Sequence, residues 1–178
     1  ETYAEVMRAA GATERLMEIL AQSPSIQPPA KPRALPAKMQ GSISLRDLHF
    51  SYPSRPDAPA LKGLSLDIEP GQTVALVGPS GAGKTTVFQL LLRLYDPQKG
   101  SVSVEGIDAQ ELDPTVLRRA ISIVQQNAPL FAGTARENIR FGDPSASDDD
   151  VIAAAQAAEA HDFIMALTQG YDTPLGET

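Results

Sequence analysis

Gly78-Pro79-Ser80-Gly81-Ala82-Gly83-Lys84-Thr85-Thr86 is the stretch on which the reading of this chain turns. It satisfies G-x-x-x-x-G-K-[ST] at every fixed position. Its flanks give the match its weight. Thr73-Val74-Ala75-Leu76-Val77 is a short apolar run, the pattern of a strand buried on both faces of a parallel sheet. Val87-Phe88-Gln89-Leu90-Leu91-Leu92-Arg93-Leu94 reads as an apolar helix. Strand, glycine loop and helix in that order make a phosphate cradle. Glycines let backbone N–H groups turn inward, and a helix N-terminus favours an anion. Lys84 is expected to reach the β- and γ-phosphates, and the Thr85 hydroxyl to take a Mg²⁺ position. A glycine-rich turn that matches by chance is the competing reading, and the flanking strand and helix argue against it.

Composition bounds the rest. At 178 residues the chain has room for one domain with a real core and an appendage. A hydrophobic fraction of 42% and a charged fraction of 21% are ordinary for a globular protein. The net charge of -7, with no run of Lys or Arg, argues against a nucleic-acid-binding surface. There are no cysteines, which excludes disulfides and thiolate metal sites. His49 and His161 lack ligand-spaced neighbours and read as surface or packing residues. No apolar run approaches the roughly 18 residues that span a bilayer, and no signal-peptide pattern is present, so the segment itself reads as soluble. Glu1 begins directly in helical sequence and Thr178 follows a Gly-Glu pair, so both ends read as cuts. A Thr2–Glu5 capping box keeps a natural helix start open as the alternative.

Residues 1–20 place Tyr3, Val6, Met7, Ala10, Leu16, Met17 and Leu20 at the spacing of an amphipathic helix. Residues 21–40 hold Pro24, Pro28, Pro29, Pro32 and Pro36, a density that blocks helix and sheet pairing. They are expected to form a linker or a strap laid over a surface, with the domain beginning near Gly41. From Ser42 the pattern turns to strands. Ile43 and Leu45 alternate with polar residues, then Leu48 and Phe50 resume out of phase, which predicts a bulge or strong twist. Leu64, Leu66 and Ile68 alternate as in a half-buried antiparallel strand, and Val102 and Val104 mark another. Pro114 to Arg119 reads as a short helix with Pro near its first position. Ile121-Ser122-Ile123-Val124 is a candidate second strand of the parallel sheet. From Thr134 the chain reads as helical, over Thr134 to Ile139, Asp148 to Ala158 and Ala160 to Leu167, with Ser147 and Asp150 as a capping box.

Three further stretches narrow the meaning of the glycine loop. Phe50-Ser51-Tyr52-Pro53-Ser54-Arg55-Pro56 precedes it, Val124 to Ile139 follows it, and Gly170-Tyr171-Asp172-Thr173-Pro174-Leu175-Gly176-Glu177-Thr178 closes the chain. In this order, from about Ile43 onward, they closely resemble the nucleotide-binding domain of ABC transporters, of the exporter type with membrane and ATPase domains on one polypeptide. Gly11 to Leu16 also resembles the cytoplasmic extension of that family's last transmembrane helix.

The resemblance implies an α/β fold with a P-loop NTPase (RecA-like) core, an antiparallel β subdomain and the start of a helical subdomain from about 134. Residues 41–178 would be the N-terminal part of such a domain, truncated before the signature motif and the Walker B strand. It implies ATP and Mg²⁺ as ligands of Gly78, Pro79, Ser80, Gly81, Ala82, Gly83, Lys84, Thr85 and Thr86. Tyr52 would stack on adenine, its flat face in contact and its hydroxyl wet. Gln126 resembles the glutamine that meets Mg²⁺ or the attacking water and senses the membrane domain. Gln125 stands beside it, and counting back five residues from Phe131 selects Gln126. Leu130, Phe131, Asn138, Ile139 and Phe141 lie where the family forms a groove for coupling helices, or else they are ordinary core. Gly176-Glu177 resembles a loop that touches the same segments. The implied partners are the transmembrane domain of the same polypeptide and a second nucleotide-binding domain, on the cytoplasmic side of the cell (inner) membrane.

The family's Leu-Ser-Gly-Gly-Gln loop, Walker B aspartate and adjacent glutamate match nothing in this sequence, and neither histidine has the context of the switch histidine. The resemblance therefore implies an ATPase in the parent protein and no hydrolysis by these residues alone. Later strands would be needed to cover the parallel sheet. Three other functions remain in view. They are a nucleotide-binding regulatory module without turnover, a soluble ABC-type ATPase, and an unrelated P-loop kinase, which would leave the Tyr52 and Gln126 stretches unexplained.

Overall fold

The computed structural model describes residues 13–14, 16–17 and 19–176. It divides between Ser122 and Ile123 into two compact units.

In the first unit, strands β1 (Ile43–Ser51), β2 (Pro59–Ile68), β3 (Lys99–Val104) and β4 (Ile107–Asp108) form an antiparallel sheet of order β2-β1-β3-β4. The helix α1 (Lys84–Leu91) follows the glycine loop, and α2 (Pro114–Arg119) follows β4. Leu45, Leu48 and Phe50 of β1, Val102 and Val104 of β3, Val87 and Leu90 of α1, and Leu112 and Leu117 bury together as one core. Asp113 caps α2, and Pro114 stands at its start as expected.

The phase change in β1 is a bulge. Leu45 pairs with Leu66 but Leu48 pairs with Leu64, so three steps on one strand match two on the other. Asp47, at φ 44, absorbs the extra residue, and inward side chains resume at Leu48 and Phe50. Gly100 lies against this bulge at φ +89, where a Cβ would overlap the carbonyl oxygens of Arg46 and Asp47.

The Pro-rich segment is a strap. Arg33 N–H donates to Glu111 O at 2.8 Å, and its guanidinium pairs with the Glu111 carboxylate at 3.0 Å. Leu35 and Met39 pack on the core. Glu105 accepts from the backbone N–H groups of Gln40, Gly41 and Ser42. Partial desolvation pushes its pKa up, but those three donors outweigh it and hold the carboxyl below its usual range. Of the helix expected over residues 1–20, residues 13–14, 16–17 and 19–20 are helical. The remainder, with the Thr2–Glu5 capping box, lies outside the described residues.

The parallel sheet is where structure and expectation part. Neither Thr73–Val77 nor Ile121–Val124 forms a strand; Val77 is 88% exposed and Val124 98%. Leu76 and Ile121 reach the core only in part. An apolar, β-branched run states a preference, but a strand exists only through its ladder. Among the described residues no segment pairs with either run. The fold is thus mixed α/β with an antiparallel sheet, and among the described residues neither of these two runs is paired into a parallel sheet.

The second unit is built from helices α3 (Ala135–Arg140), α4 (Asp148–Ala157) and α5 (His161–Met165), with β5 (Gly133–Thr134) pairing antiparallel with β6 (Pro174–Leu175). Ala135, Val151, Ala155, Ile164 and Tyr171 form its core. The Ser147–Asp150 capping box is present as expected, and Thr134 with Glu137 makes a second at the start of α3. Arg136 pairs with Asp148 and Asp172 while its guanidinium lies 5.5 Å from the Tyr171 ring centroid.

Candidate functional site

The loop 78–83 turns into α1 at Gly83, and that residue shows why the sequence is glycine there. Its φ is +84, and a Cβ would stand 2.6 Å from Ala60 O and 2.8 Å from Leu61 Cδ2. The loop can therefore lie against the start of β2 only without a side chain at this position. Lys84 folds back over the loop, its ammonium donating to Gly78 O and Pro79 O at 2.8 Å each. No side chain caps the N-terminus of α1 and no acidic residue stands in its first turn. The backbone N–H groups there are left for a ligand, with the helix dipole behind them.

Beside the loop is an open cleft of about 560 Å³ bounded by Tyr52, Arg55, the start of β2 and residues 80–86. Its lining holds two cations, Lys84 and Arg55, hydroxyls from Ser80, Thr85 and Thr86, and no carboxylate. That donor set fits a polyphosphate. The exposed Thr85 hydroxyl fits a hard divalent cation that keeps phosphate and water as its other ligands. No group of three His, Cys, Asp or Glu able to hold a metal by itself occurs among the described residues. His49 instead bonds Asp47 at 3.0 Å, and His161 bonds the Tyr171 hydroxyl at 2.9 Å.

Tyr52 lies in the same cleft, half-buried against Phe50 and Tyr95 in edge-on contacts with centroids 5.0 and 5.6 Å away. Its hydroxyl, expected to stay wet, is held by two side chains of α1. It donates to Gln89 Oε1 at 2.6 Å and lies 2.8 Å from the Thr86 Oγ1, whose side chain is buried. Tyr52 has one proton, so with it given to Gln89 the Thr86 hydroxyl donates in return.

Gln126 belongs to the second unit, exposed in the irregular stretch before β5. In the same unit Asn138 clamps Phe131, its side chain accepting from Phe131 N at 2.8 Å and donating to Phe131 O at 3.0 Å. Phe131 stacks on Phe141 with centroids 4.2 Å apart, and both rings are largely exposed, as is Leu130. Ile139 packs on the core instead. Gly176 is described, whereas Glu177 lies outside the described residues.

Sequence reasoning missed Arg55, Gln89 and the Thr134–Glu137 capping box. The last was legible from its S/T-x-x-E spacing. Arg55 and Gln89 carried no signal, because only the folded chain brings β1, the following turn and α1 together.

Comparison with known proteins supplies the frame for this geometry. A model of the ABC transporter family matches residues 61–175. Among curated relatives, ABC transporter B family member 1 of Dictyostelium discoideum is 44% identical over 97% of this chain and 19% of its own length. Multidrug resistance protein pgp-1 of Caenorhabditis elegans is 40% identical over 95% of this chain and 13% of its own. A solved structure of a bacterial Atm1-family ABC exporter with ATP bound superimposes with a TM-score of 0.87 at 36% identity, covering 98% of this chain and 30% of that one. The chain thus spans less than a third of the length of each of these proteins.

Proposed function

Because this chain belongs to the ABC transporter family, as an ATP-binding domain of the exporter type, we propose that the cleft between Tyr52 and the loop 78–86 holds Mg-ATP. The observation that carries the proposal is the Lys84 ammonium folded over the loop at the uncapped start of α1. In this reading Lys84 exchanges the Gly78 and Pro79 carbonyls for β- and γ-phosphate oxygens. Backbone N–H groups of Gly81 to Thr86 supply the remaining donors, and Tyr52 presents its ring to adenine. Mg²⁺, when bound, offsets phosphate charge, and the Thr85 hydroxyl holds it. Arg55 adds a second positive charge at the mouth of the cleft.

Gln126 is proposed to meet Mg²⁺ or the attacking water in the nucleotide-bound protein. Phe131 and Phe141, with Asn138 fixing the backbone beneath them, are proposed to receive coupling helices of the membrane domain; an exposed aromatic pair suits an inserted helix. Residues 1–20 would extend from the membrane domain, 21–40 would link it to the domain at 41–178, and a helical subdomain would begin near 134. The parent would face the cytoplasmic side of the membrane, act with a second ATP-binding domain, and couple ATP binding and hydrolysis to export. Among the described residues no helix is long and apolar enough to cross a membrane. Among the described residues no carboxylate lines the cleft, and the group that activates water is proposed to come from elsewhere in the parent assembly.

Competition binding on the full chain tests this reading. Magnesium tripolyphosphate is expected to displace ATP, because the phosphates carry most of the contact, and adenosine is expected to compete only weakly. Adenosine displacing ATP while tripolyphosphate does not would contradict it.

A further inference from the structure

We propose that Gln89 is a positioning residue for base recognition: by accepting the Tyr52 hydroxyl proton it fixes the Tyr52 ring at the edge of the phosphate cradle. The proposal rests on the reading of Tyr52 as the residue that stacks on adenine.

The geometry leads there in three steps. Thr86 and Gln89 are three residues apart on α1 and so neighbour each other on one face of the helix. One hydroxyl can reach both, and Tyr52 does, at 2.8 and 2.6 Å. That helix is the one whose first turn forms the cradle, so the ring is tied to the element that holds the phosphates. The distance between the platform for the base and the site for the phosphates is then set by α1 rather than by the turn after β1.

The energetic consequence is selective. A ring held in place before the ligand arrives needs no ordering when the base stacks on it, whereas a free tyrosine loses rotamer freedom at that moment. Losing Gln89 as an acceptor should therefore weaken a ligand that carries a base and spare one that consists of phosphate alone. A residue that merely packed α1 would affect both ligands or neither. The polarity of the contact also makes a claim: Glu retains an oxygen that accepts the Tyr52 proton, and Leu, of similar size, does not.

The test is calorimetric binding of Mg-ATP and of magnesium tripolyphosphate to the full chain, with Gln89→Leu, Gln89→Glu, Tyr52→Phe and Tyr52→Ala. Gln89→Leu should raise the Kd for Mg-ATP about fivefold, the weight of one net hydrogen bond, and leave that for tripolyphosphate unchanged. Gln89→Glu should keep the wild-type ratio of the two. Tyr52→Phe, which removes this bond together with the one to Thr86, should raise the Kd for Mg-ATP at least as much, and adding Gln89→Leu to it should add nothing further. If Gln89→Leu does not fold, Tyr52→Phe carries the same comparison. An unchanged ratio in both Gln89→Leu and Tyr52→Phe, with Tyr52→Ala still raising the Kd for Mg-ATP relative to that for tripolyphosphate, would overturn the role of Gln89 and leave stacking intact. An unchanged ratio in Tyr52→Ala would overturn the stacking reading itself, and this proposal with it.

Discussion

Gly83 lies so close to Ala60 that a Cβ on it would stand 2.6 Å from the Ala60 carbonyl oxygen. The start of β2 is in this way a wall against which the loop is pressed, and the cradle is shaped by a contact that tolerates no side chain. Gly83→Ala meets that wall while also forcing alanine to a φ of +84. The expected cost is about 1–3 kcal/mol of stability from the backbone alone, with weaker Mg-ATP binding because the loop must shift. Thermal melting and calorimetry on the variant check both; wild-type values in each would contradict the contact.

Arg93 is buried just beyond α1, at a φ of +50, and its guanidinium serves three partners. It donates to Leu112 O at 3.0 Å, Gln27 O at 3.3 Å and Asp96 at 3.1 Å. Arg93→Ala leaves the Leu112 carbonyl without its donor and unpins the strap at Gln27. A loss of about 2–3 kcal/mol is expected in denaturant unfolding, the scale of hydrogen bonds to a charged group. Faster proteolysis near Gln27 should accompany it, and an intact strap would argue that other contacts suffice.

Asn138 holds Phe131 by both backbone groups and also donates to Thr134 O at 3.0 Å. Asn138→Ala should release the Phe131–Phe141 pair and lower stability by about 1–2 kcal/mol. Mg-ATP affinity should not change. If the pair receives the membrane domain, substrate-stimulated turnover of the parent transporter carrying Asn138→Ala should fall while basal Mg-ATP binding persists.

The capping boxes predict a pH dependence. The carboxyl of Glu137 is held below its usual range chiefly by the Thr134 backbone N–H, then by its hydroxyl. That of Asp150 is lowered chiefly by the Ser147 hydroxyl, then by the backbone N–H. Both pKa values are depressed on folding, so their stabilisation is complete above the ordinary values of 4.5 and 3.8 and is lost as pH falls below them. Melting temperature should therefore drop through the acid range, and less steeply in the Thr134→Ala, Ser147→Ala double variant. Equal slopes would show that the caps do not set the acid limit.

Much of this was legible in the sequence wherever one element decides its own fate. The β1 bulge was written in the shift from Leu45 to Leu48, and the start of α4 in Ser147 and Asp150. The glycine loop was written in its motif. Thr73–Val77 and Ile121–Val124 failed because a parallel strand depends on partners remote in sequence, and no local pattern reports whether they are at hand. The partners of the Tyr52 hydroxyl were hidden for a related reason. Its acceptor, Gln89, lies 37 residues away, and only packing of β1 against α1 brings the two together.

The central claim is that Lys84 and the loop it covers bind the phosphates of ATP, and calorimetry of Mg-ATP with the Lys84→Ala variant of the full chain tests it most directly. The account predicts affinity lower by about a hundredfold or more, as for loss of a paired charge, with circular dichroism and melting temperature unchanged. Wild-type affinity in a folded Lys84→Ala protein would contradict it.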